Sequence, residues 1–411
     1  MGINTLLRTL WRTPAGPLLL AAQVALSLMI FANVAYVIYT RLETTARPTG
    51  MDVDNIFWIS SQGYGKDYDQ RSTIQLDLEY LNLLPGVIAA SVSNAEPQSL
   101  DALHTQVSVA PGLKGAKMLA LVYQTTDKVI NTLGLQLLKG REFSRDAVLP
   151  PSSGSALKVN PFGPEVVITE DLATKLFGGS DQALGKPLYF SLSDGGSATI
   201  VGVVALLLAA PRFGLGWDFA YDVVLAPAIP GGSTAIYFVR TQPGRRDEVM
   251  AKVKKEFEAL RPSRYIDEFE TLTDTVSQRR AADRNGAMIL AILSSFVLAV
   301  TMLGLFGFAS FAVTSRTKEI GTRRAIGATR ADIVKQFLTE NLVITTSGIA
   351  VGSVMTLAFA LQLSMLLELP RLPIIFLTGA MALIWMTGLI AALIPALRGA
   401  SVPPAVATRA A

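Results

Sequence analysis

The sequence predicts an α-helical membrane protein with four transmembrane helices and a large α/β extracytoplasmic domain. Three observations predict it. Half of the residues are apolar and only 17% are charged, where about a quarter is usual for soluble domains. The chain gathers its uncharged residues into four runs, 13–40, 285–315, 341–367 and 372–397. Each is longer than the ~20 apolar residues that cross a bilayer as a helix. Between the first and second runs lies one long segment, 41–284, in which acidic and basic residues nearly balance. Four such runs in one chain argue against the buried helices of a soluble protein.

The elements follow in order. Over 1–16, Ile3, Leu6, Leu7, Leu10 and Trp11 recur at helical spacing with Arg8 and Arg12 between them. That pattern suits a cytoplasmic amphipathic helix in the inner interface, and a plain extension of the first span is the alternative. Transmembrane helix 1 is expected over 17–40. Its apolar stretch, Pro17 to Tyr39, exceeds the ~7–15 residues of a signal-peptide core. Thr40-Arg41-Leu42-Glu43 offers no convincing cleavage site, so the span is expected to be retained. Helices 2, 3 and 4 are expected over 285–313, 341–367 and 372–397. The basic residues sort by side. Arg8 and Arg12 precede the first span. Arg316, Lys318, Arg323, Arg324, Arg330 and Lys335 fill the segment 314–340, and Arg398 and Arg409 follow the last span. The bias of basic residues toward the cytoplasm then puts both termini, the 314–340 loop and the tail 398–411 inside, and the domain 41–284 outside.

The outer segment is long enough for a full core, divided into two lobes. Ile56–Ile59, Ile74–Leu84 and Val87–Ser93 read as strand, helix and strand. Ala235–Arg240, Asp247–Leu260 and Arg264–Phe269 repeat that order near the far end. Two β-α-β units over 50–129 and 229–275 would build one split lobe. The stretch 130–228 between them is rich in Gly and Pro and carries short apolar runs at Val166–Ile168, Pro187–Leu192 and Ala198–Val204. It reads as an inserted, mixed α/β lobe. Its short helix, Glu170–Phe177, is expected to be capped by Thr169 and closed by Gly178.

The composition excludes several chemistries. The chain has no Cys and one His, which removes disulfide scaffolds, thiol nucleophiles, Cys-ligated zinc and multi-His metal sites. It also makes a His-based triad a poor assignment. No Walker A sequence is present: Lys186 after Gly185 is followed by Pro187 rather than Ser or Thr, so no P-loop is expected. His104 reads as a surface or satisfied core residue. Tyr64, Asp67, Tyr68 and Asp69 form a polar cluster without EF-hand spacing and read as a solvated loop. The pairs Asp247/Glu248 and Asp267/Glu268 read as surface, and no basic patch marks a nucleic-acid partner. The expectation is therefore no catalytic residue, no metal and no cofactor held by this chain.

The informative motif is in the 314–340 loop: Arg316-x-Lys318-Glu319-Ile320-Gly321-x-Arg323-Arg324-Ala325-x-Gly327-Ala328, then Gln336-Phe337-Leu338-x-Glu340. Read from its residues alone, it is either a basic loop on anionic lipid or a short helix docked on a cytoplasmic partner. Ile320, Ile326, Ile333, Phe337 and Leu338 would form the apolar side, and glycines 321 and 327 would permit sharp bends. This motif resembles the loop of MacB/FtsX-type ABC transporter permeases. The tail Pro395-Ala396-x-Arg398-x-Ala400, with Pro404 and Ala407-x-Arg409, resembles the end of that family. Val129–Phe143, Val166–Gly178, Gly185-Lys186-Pro187-Leu188 and Ile200–Val204 resemble its periplasmic core.

The resemblance implies a permease subunit in a bacterial inner membrane, with a porter lobe (50–129 and 229–275) and a sabre-like insertion (130–228). It implies a coupling helix over Arg316, Lys318, Glu319, Ile320, Gly321, Arg323, Arg324, Ala325, Gly327 and Ala328, seated on an ABC ATPase on a separate chain that carries ATP and Mg. It implies a second permease as a homodimer or heterodimer partner. In a tripartite pump, a periplasmic adaptor and an outer-membrane channel would be added. The expected function is mechanotransmission: ATP-driven motion reaches the outer domain, which exports or releases a peptide, antibiotic or lipoprotein. The alternative is a regulator that uses the same motion to activate a hydrolase or to signal to a kinase. A membrane-anchored enzyme has no supporting motif. Gly304, Gly307, Gly348 and Gly352 are expected at close helix contacts.

Overall fold

The computed structural model describes residues 15–66, 68–96, 102–151, 162–191, 196–209, 220–257, 259, 263–367 and 372–403. The interfacial helix expected near the N-terminus, Asp67, the turn 368–371 and the tail residues Pro404, Ala407 and Arg409 lie outside the described residues. The chain divides into two units: Ala46–Ala281, and Met1–Thr45 together with Ala282–Ala411.

The first unit is α/β. Strand β1 (Ile56–Gly63) is apolar on both faces because its alternating side chains serve two cores. Ile56 and Trp58 enter one core and Phe57 and Ile59 the other. Trp58 is anchored by an Nε1–H that donates to Thr275 Oγ1 at 2.8 Å. Helix α2 (Gln70–Leu83) follows, then β2 (Val87–Ser93). Asp69 caps α2 by accepting from the backbone N–H groups of Arg71 and Ser72. The Ser72 hydroxyl and N–H hold its carboxyl below the usual aspartate range. One member of the polar cluster read as a loop is thus a helix cap.

Near the end of the unit, β10 (Thr234–Thr241), α6 (Arg246–Glu256) and β11 (Arg264–Thr271) repeat the strand-helix-strand order. The four strands lie in the order β11-β1-β10-β2, each antiparallel to its neighbour. Ile74 and Leu81 of α2 and Val249 and Val253 of α6 share one core with Phe57, Ile59, Val92, Tyr237 and Val239. The two strand-helix-strand units are therefore interleaved in one sheet.

The intervening chain carries β3 (Leu103–Ala110), β4 (Lys114–Thr125), α3 (Val129–Leu133), β5 (Leu137–Gly140), β6 (Glu165–Thr169), α4 (Glu170–Phe177), α5 (Ser180–Ala183), β7 (Pro187–Phe190), β8 (Ser197–Val204) and β9 (Val223–Pro227). These strands continue the sheet as β2-β4-β3-β7-β8-β6-β9, with β5 on β8 and β4 also paired to β9. Val107, Ala120 and Val122 of β3 and β4 pack with Val166, Ile168, Leu172 and Ile200. The packing of the insertion thus starts before residue 130, earlier than its expected boundary. β2 and β4 meet at a single register pair, Ser93 and Thr125.

Thr169 occupies the N-cap position of α4 but makes no capping bond. Its hydroxyl instead donates to the carbonyl of Tyr221 and accepts from Val223 N–H at 3.1 Å. A tertiary strand contact has taken the group that local sequence assigned to the helix end. Gly178 closes α4 as expected, in the left-handed region at φ 86°.

Two buried ionic clusters stand out. Asp77 of α2 and Arg264 of β11 are paired with both side chains wholly buried. Tyr237 donates to Asp77 Oδ2 at 2.8 Å, and Arg264 also donates to the Phe257 carbonyl at 2.6 Å. The Arg264 guanidinium lies 3.9 Å from the centroid of the Phe257 ring. In the second cluster, Lys175 of α4 donates to both oxygens of the buried Asp222 at 3.0 and 2.9 Å, and also pairs with Asp171. Burial pushes the Asp222 carboxyl up to about 7 in spite of the ammonium. Burial pulls Lys175 down, but its two carboxylate partners outweigh this and leave it raised.

The second unit is helical: α1 (Ala15–Ala46), α7 (Leu272–Ser315), α8 (Thr317–Ala325), α9 (Arg330–Leu367) and α10 (Ile374–Ala400). Of these, α1, α7, α9 and α10 are long and apolar enough to cross a membrane. The 44 residues of α7 run for ~66 Å, twice a ~30 Å hydrocarbon core. α9 begins inside the expected loop, so that residues 330–340 are helical. Val24 and Leu28 of α1 pack with Leu305 of α7, Ile344 of α9 and Ile384 of α10. Ser27 and Thr301 share a 2.6 Å hydrogen bond between α1 and α7, and Arg41 pairs with Asp283 at 3.3 Å.

Asp77→Ala should leave Arg264 buried and uncompensated, at a cost of ~3–5 kcal/mol. The expected readout is loss of hydrogen-exchange protection in β1, α2 and β11 of the full chain; unchanged protection would refute it. The second cluster sets a pH dependence. The folded Asp222 carboxyl keeps its proton up to about pH 7, whereas an unfolded aspartate loses it near ~3.9. The folded state therefore binds more protons across that window. This contribution to stability is complete below the unfolded value and is lost as pH rises through about 7. Asp222→Asn should flatten the difference in Tm between about pH 6 and about pH 8, and a slope equal to the wild type would contradict the assignment.

Candidate functional site

The elbow between α7 and α9 concentrates the charge that the four uncharged runs lack. One residue, Arg316, separates α7 from α8. Its guanidinium crosses to α9 and donates from Nη1 to both oxygens of Glu340, at 3.0 and 2.9 Å. Gln336, one turn earlier, donates to the same carboxylate at 3.2 Å and accepts from Arg323 at 2.8 Å. Arg323 also pairs with Glu319 one turn back on α8. Arg324 donates to the Val402 carbonyl. Beneath these polar ties, Ile320 packs with Val313, Ile333, Phe337, Ala396 and Ala400.

The turn into α9 is built from local signals. Gly327 adopts φ 107°, which side-chain-bearing residues rarely reach. Thr329 and Asp332 then form a reciprocal capping box: Thr329 N–H and Oγ1–H donate to Asp332 Oδ2 at 3.0 and 2.6 Å, and Asp332 N–H donates to Thr329 Oγ1 at 3.2 Å.

The residues expected at the coupling helix thus fall into two groups. Arg316, Ile320, Gly321, Arg323, Arg324 and Ala328 are buried or half-buried and hold the elbow together. Lys318, Glu319, Ala325 and Gly327 are exposed. Two expectations are corrected. Gly321 does not bend the chain; it lies within α8 and is buried. Ile326 does not join the apolar side with Ile333 and Phe337; it is 82% exposed, because six residues on from Ile320 it falls about 120° round α8, away from that core. Glu319, Thr322 and Ile326 recur at i, i+3 and i+7, so they share one side of the α8 turn. Glu340 and Gln336 matched the family motif by sequence, but their role as anchors was not legible, since their partners lie on another helix.

The four glycines divide as well. A Cβ on Gly348 would come within 2.7 Å of the Ala21 carbonyl, and one on Gly352 within 2.8 Å of Ala25. There α9 meets the backbone of α1 closely. Gly304 faces only the end of the Gln23 side chain, and a Cβ on Gly307 would have no neighbour within 4 Å.

Comparison with known proteins adds what geometry cannot. Residues 21–257 match the family described as MacB-like periplasmic core domain, and residues 291–404 match FtsX-like permease C-terminal. The chain belongs to the MacB/FtsX family of permeases. Its curated relatives include "Macrolide export ATP-binding/permease protein MacB" of Wolinella succinogenes, 28% identical over 59% of this chain and 38% of that protein. The "Probable export ATP-binding/permease protein" of Pseudomonas fluorescens is 27% identical over 58% of this chain and 37% of that protein. The chain spans well under half the length of these relatives. Among solved structures, the periplasmic region of MacB from Actinobacillus actinomycetemcomitans covers 57% of this chain and 96% of its own, at 16% identity and a TM-score of 0.35.

Overpacking tests the α1–α9 contact. Gly352→Leu should destabilise the helical unit by ~1–3 kcal/mol, seen as a lower thermal-aggregation temperature in detergent. Gly307→Ala should leave that temperature unchanged. Equal effects of the two would refute the contact.

Proposed function

We propose that this chain is the mechanotransmission subunit of an ABC transporter, turning ATP-driven motion of an ATPase into work by its α/β unit. The observation that carries the reading is the construction of the elbow. Its inner side is clamped by Arg316–Glu340 and by the Ile320 core, so α8 moves with α7 and α9 rather than alone. Its outer side, with Lys318, Glu319, Thr322 and Ile326, is exposed and offers one apolar and several polar contacts to a partner. An exposed isoleucine beside charged residues is what a small docking surface needs for a central anchor and a polar rim.

In this reading the elbow and both termini are cytoplasmic, and the ATPase, with its ATP and Mg, is a partner that these 411 residues do not contain. Two permeases face each other as a homodimer or heterodimer. The interleaved β11-β1-β10-β2 sheet acts as the porter lobe and the strands beyond β4 as the sabre lobe. The length of α7 supports its use as a stiff stalk, and the near absence of ionisable residues in the four runs argues against a polar path through the bilayer. The cargo is an exported or released peptide, antibiotic or lipoprotein. An adaptor and an outer channel join where the pump is tripartite.

The chain has no Cys, so a single introduced thiol is a unique probe. Thr322→Cys in native membranes should crosslink to an ATPase identified by mass spectrometry, while a thiol at buried Ile333 should not. Glu319→Ala should leave insertion and folding intact and lower ATPase docking about tenfold. No ATPase at Thr322→Cys, together with unchanged coupling in Glu319→Ala, would overturn the assignment. A hydrolase or kinase captured with the ATPase would turn it into the regulatory form.

A further inference from the structure

Beside the elbow, α9 and α10 leave a groove of about 540 Å³ between them. Its walls include Leu338 and Leu342 of α9 and Leu389 and Leu397 of α10, and Arg330 and Lys335 line it as well. Leu342 and Leu389 mark one end, and the neighbouring Asn341 ties α9 to α10 by donating to the Gly388 carbonyl at 2.8 Å. Arg330 and Ser401, at the start of α9 and just past the end of α10, mark the other. From the geometry we infer that this groove is a binding site for one anionic phospholipid, its acyl chain along the leucines and its phosphate at Arg330 and Lys335.

Three features fit that occupant. The groove runs from Leu389 to Ala400 on α10, which at ~1.5 Å per residue is ~16 Å, the depth of a single leaflet of a ~30 Å core. Leu342 and Leu389 lie at the deep end, Leu338 and Leu397 lie nearer the cations, and the cations sit on the first two turns of α9, where a headgroup would be. Both cations are exposed, and neither makes an ion pair among the described residues, unlike Arg316 and Arg323 beside them. Their charge is therefore available to a phosphate. The N-terminal segment of this chain would set Arg8 and Arg12 against Arg330 and Lys335, charge against like charge. The orientation proposed above makes this leaflet the cytoplasmic one, but binding itself does not depend on that orientation.

The test uses the full chain in nanodiscs of mixed phosphatidylglycerol and phosphatidylcholine, with retained lipid counted by native mass spectrometry after mild activation. The wild type should keep phosphatidylglycerol in preference to phosphatidylcholine. At roughly one kcal/mol per basic residue, Arg330→Gln with Lys335→Gln should lower that preference about thirtyfold. Arg398→Gln removes a charge at the same helix end that does not line the groove and should change nothing. Leu342→Trp, which fills the deep end, should expel the lipid without touching either cation. The charge-conserving pair Arg330→Lys with Lys335→Arg should retain it and guards against a folding defect. Equal retention of the two lipids by the wild type, or unchanged preference in the double glutamine variant, would overturn the proposal. So would a crosslink from a thiol at 342 to another polypeptide.

Discussion

Hydrocarbon tolerates neither an unpaired backbone amide nor an isolated charge, and that constraint distributes everything else in this chain. It makes the four spanning segments continuous helices joined by a few uncharged side-chain hydrogen bonds, such as Ser27 with Thr301 and Asn341 with the Gly388 carbonyl. It also clears them of charge, so charge collects where helices end. The elbow is the densest such place. There the same chemistry serves two purposes, because half of the basic residues are turned inward as ties and the rest remain exposed for a partner or a lipid.

Inward ties define what the elbow can do mechanically. A 9-residue helix is marginal alone. α8 is held by Ile320 in an apolar seat and by Arg316, Arg323 and Arg324 reaching α9 and the end of α10. Removing the polar ties would leave a hinge. With them in place, α8 is fixed to α7 and α9 together.

The parts legible in the sequence were those set by local pattern. Uncharged runs gave the four helices, and apolar periodicity gave β1, α2, β2, β10, α6 and β11. Gly178 gave a helix end. What escaped was set by partners distant in the chain. β4 opens with Lys114-Gly115-Ala116-Lys117, no strand signal, and is held by β3 on one side and β9 on the other. β9 is short and ends in Pro227, and pairing with β4 and β6 makes it a strand. Thr169 looked like a cap, yet Tyr221 and Val223 took its hydroxyl. At the elbow the motif located the site, but which residues face inward depended on Glu340 and Gln336, one helix away. Ile326 differs: its spacing from Ile320 already puts it on another side of α8, where it is exposed.

The edge of the α/β sheet depends on distant partners in the same way. β11 ends at Thr271, and α7 begins at the next residue, Leu272. β11 pairs only with β1 among the described strands, and Arg264 fastens it to Asp77 of α2 by a fully buried pair. That pair, though costly to desolvate, binds the edge strand to the helix layer. Beyond it, the continuous sheet narrows to the one register pair of Ser93 and Thr125. That junction is braced from outside the ladder: Asn94 N–H donates to the Gln124 carbonyl at 3.2 Å, Thr126 N–H donates to the Val92 carbonyl at 3.3 Å, and Trp58 and Phe238 share a core with Leu121, Tyr123 and Leu225. The α/β unit is therefore joined across its narrowest strand pairing chiefly by side-chain packing, which no local sequence pattern records.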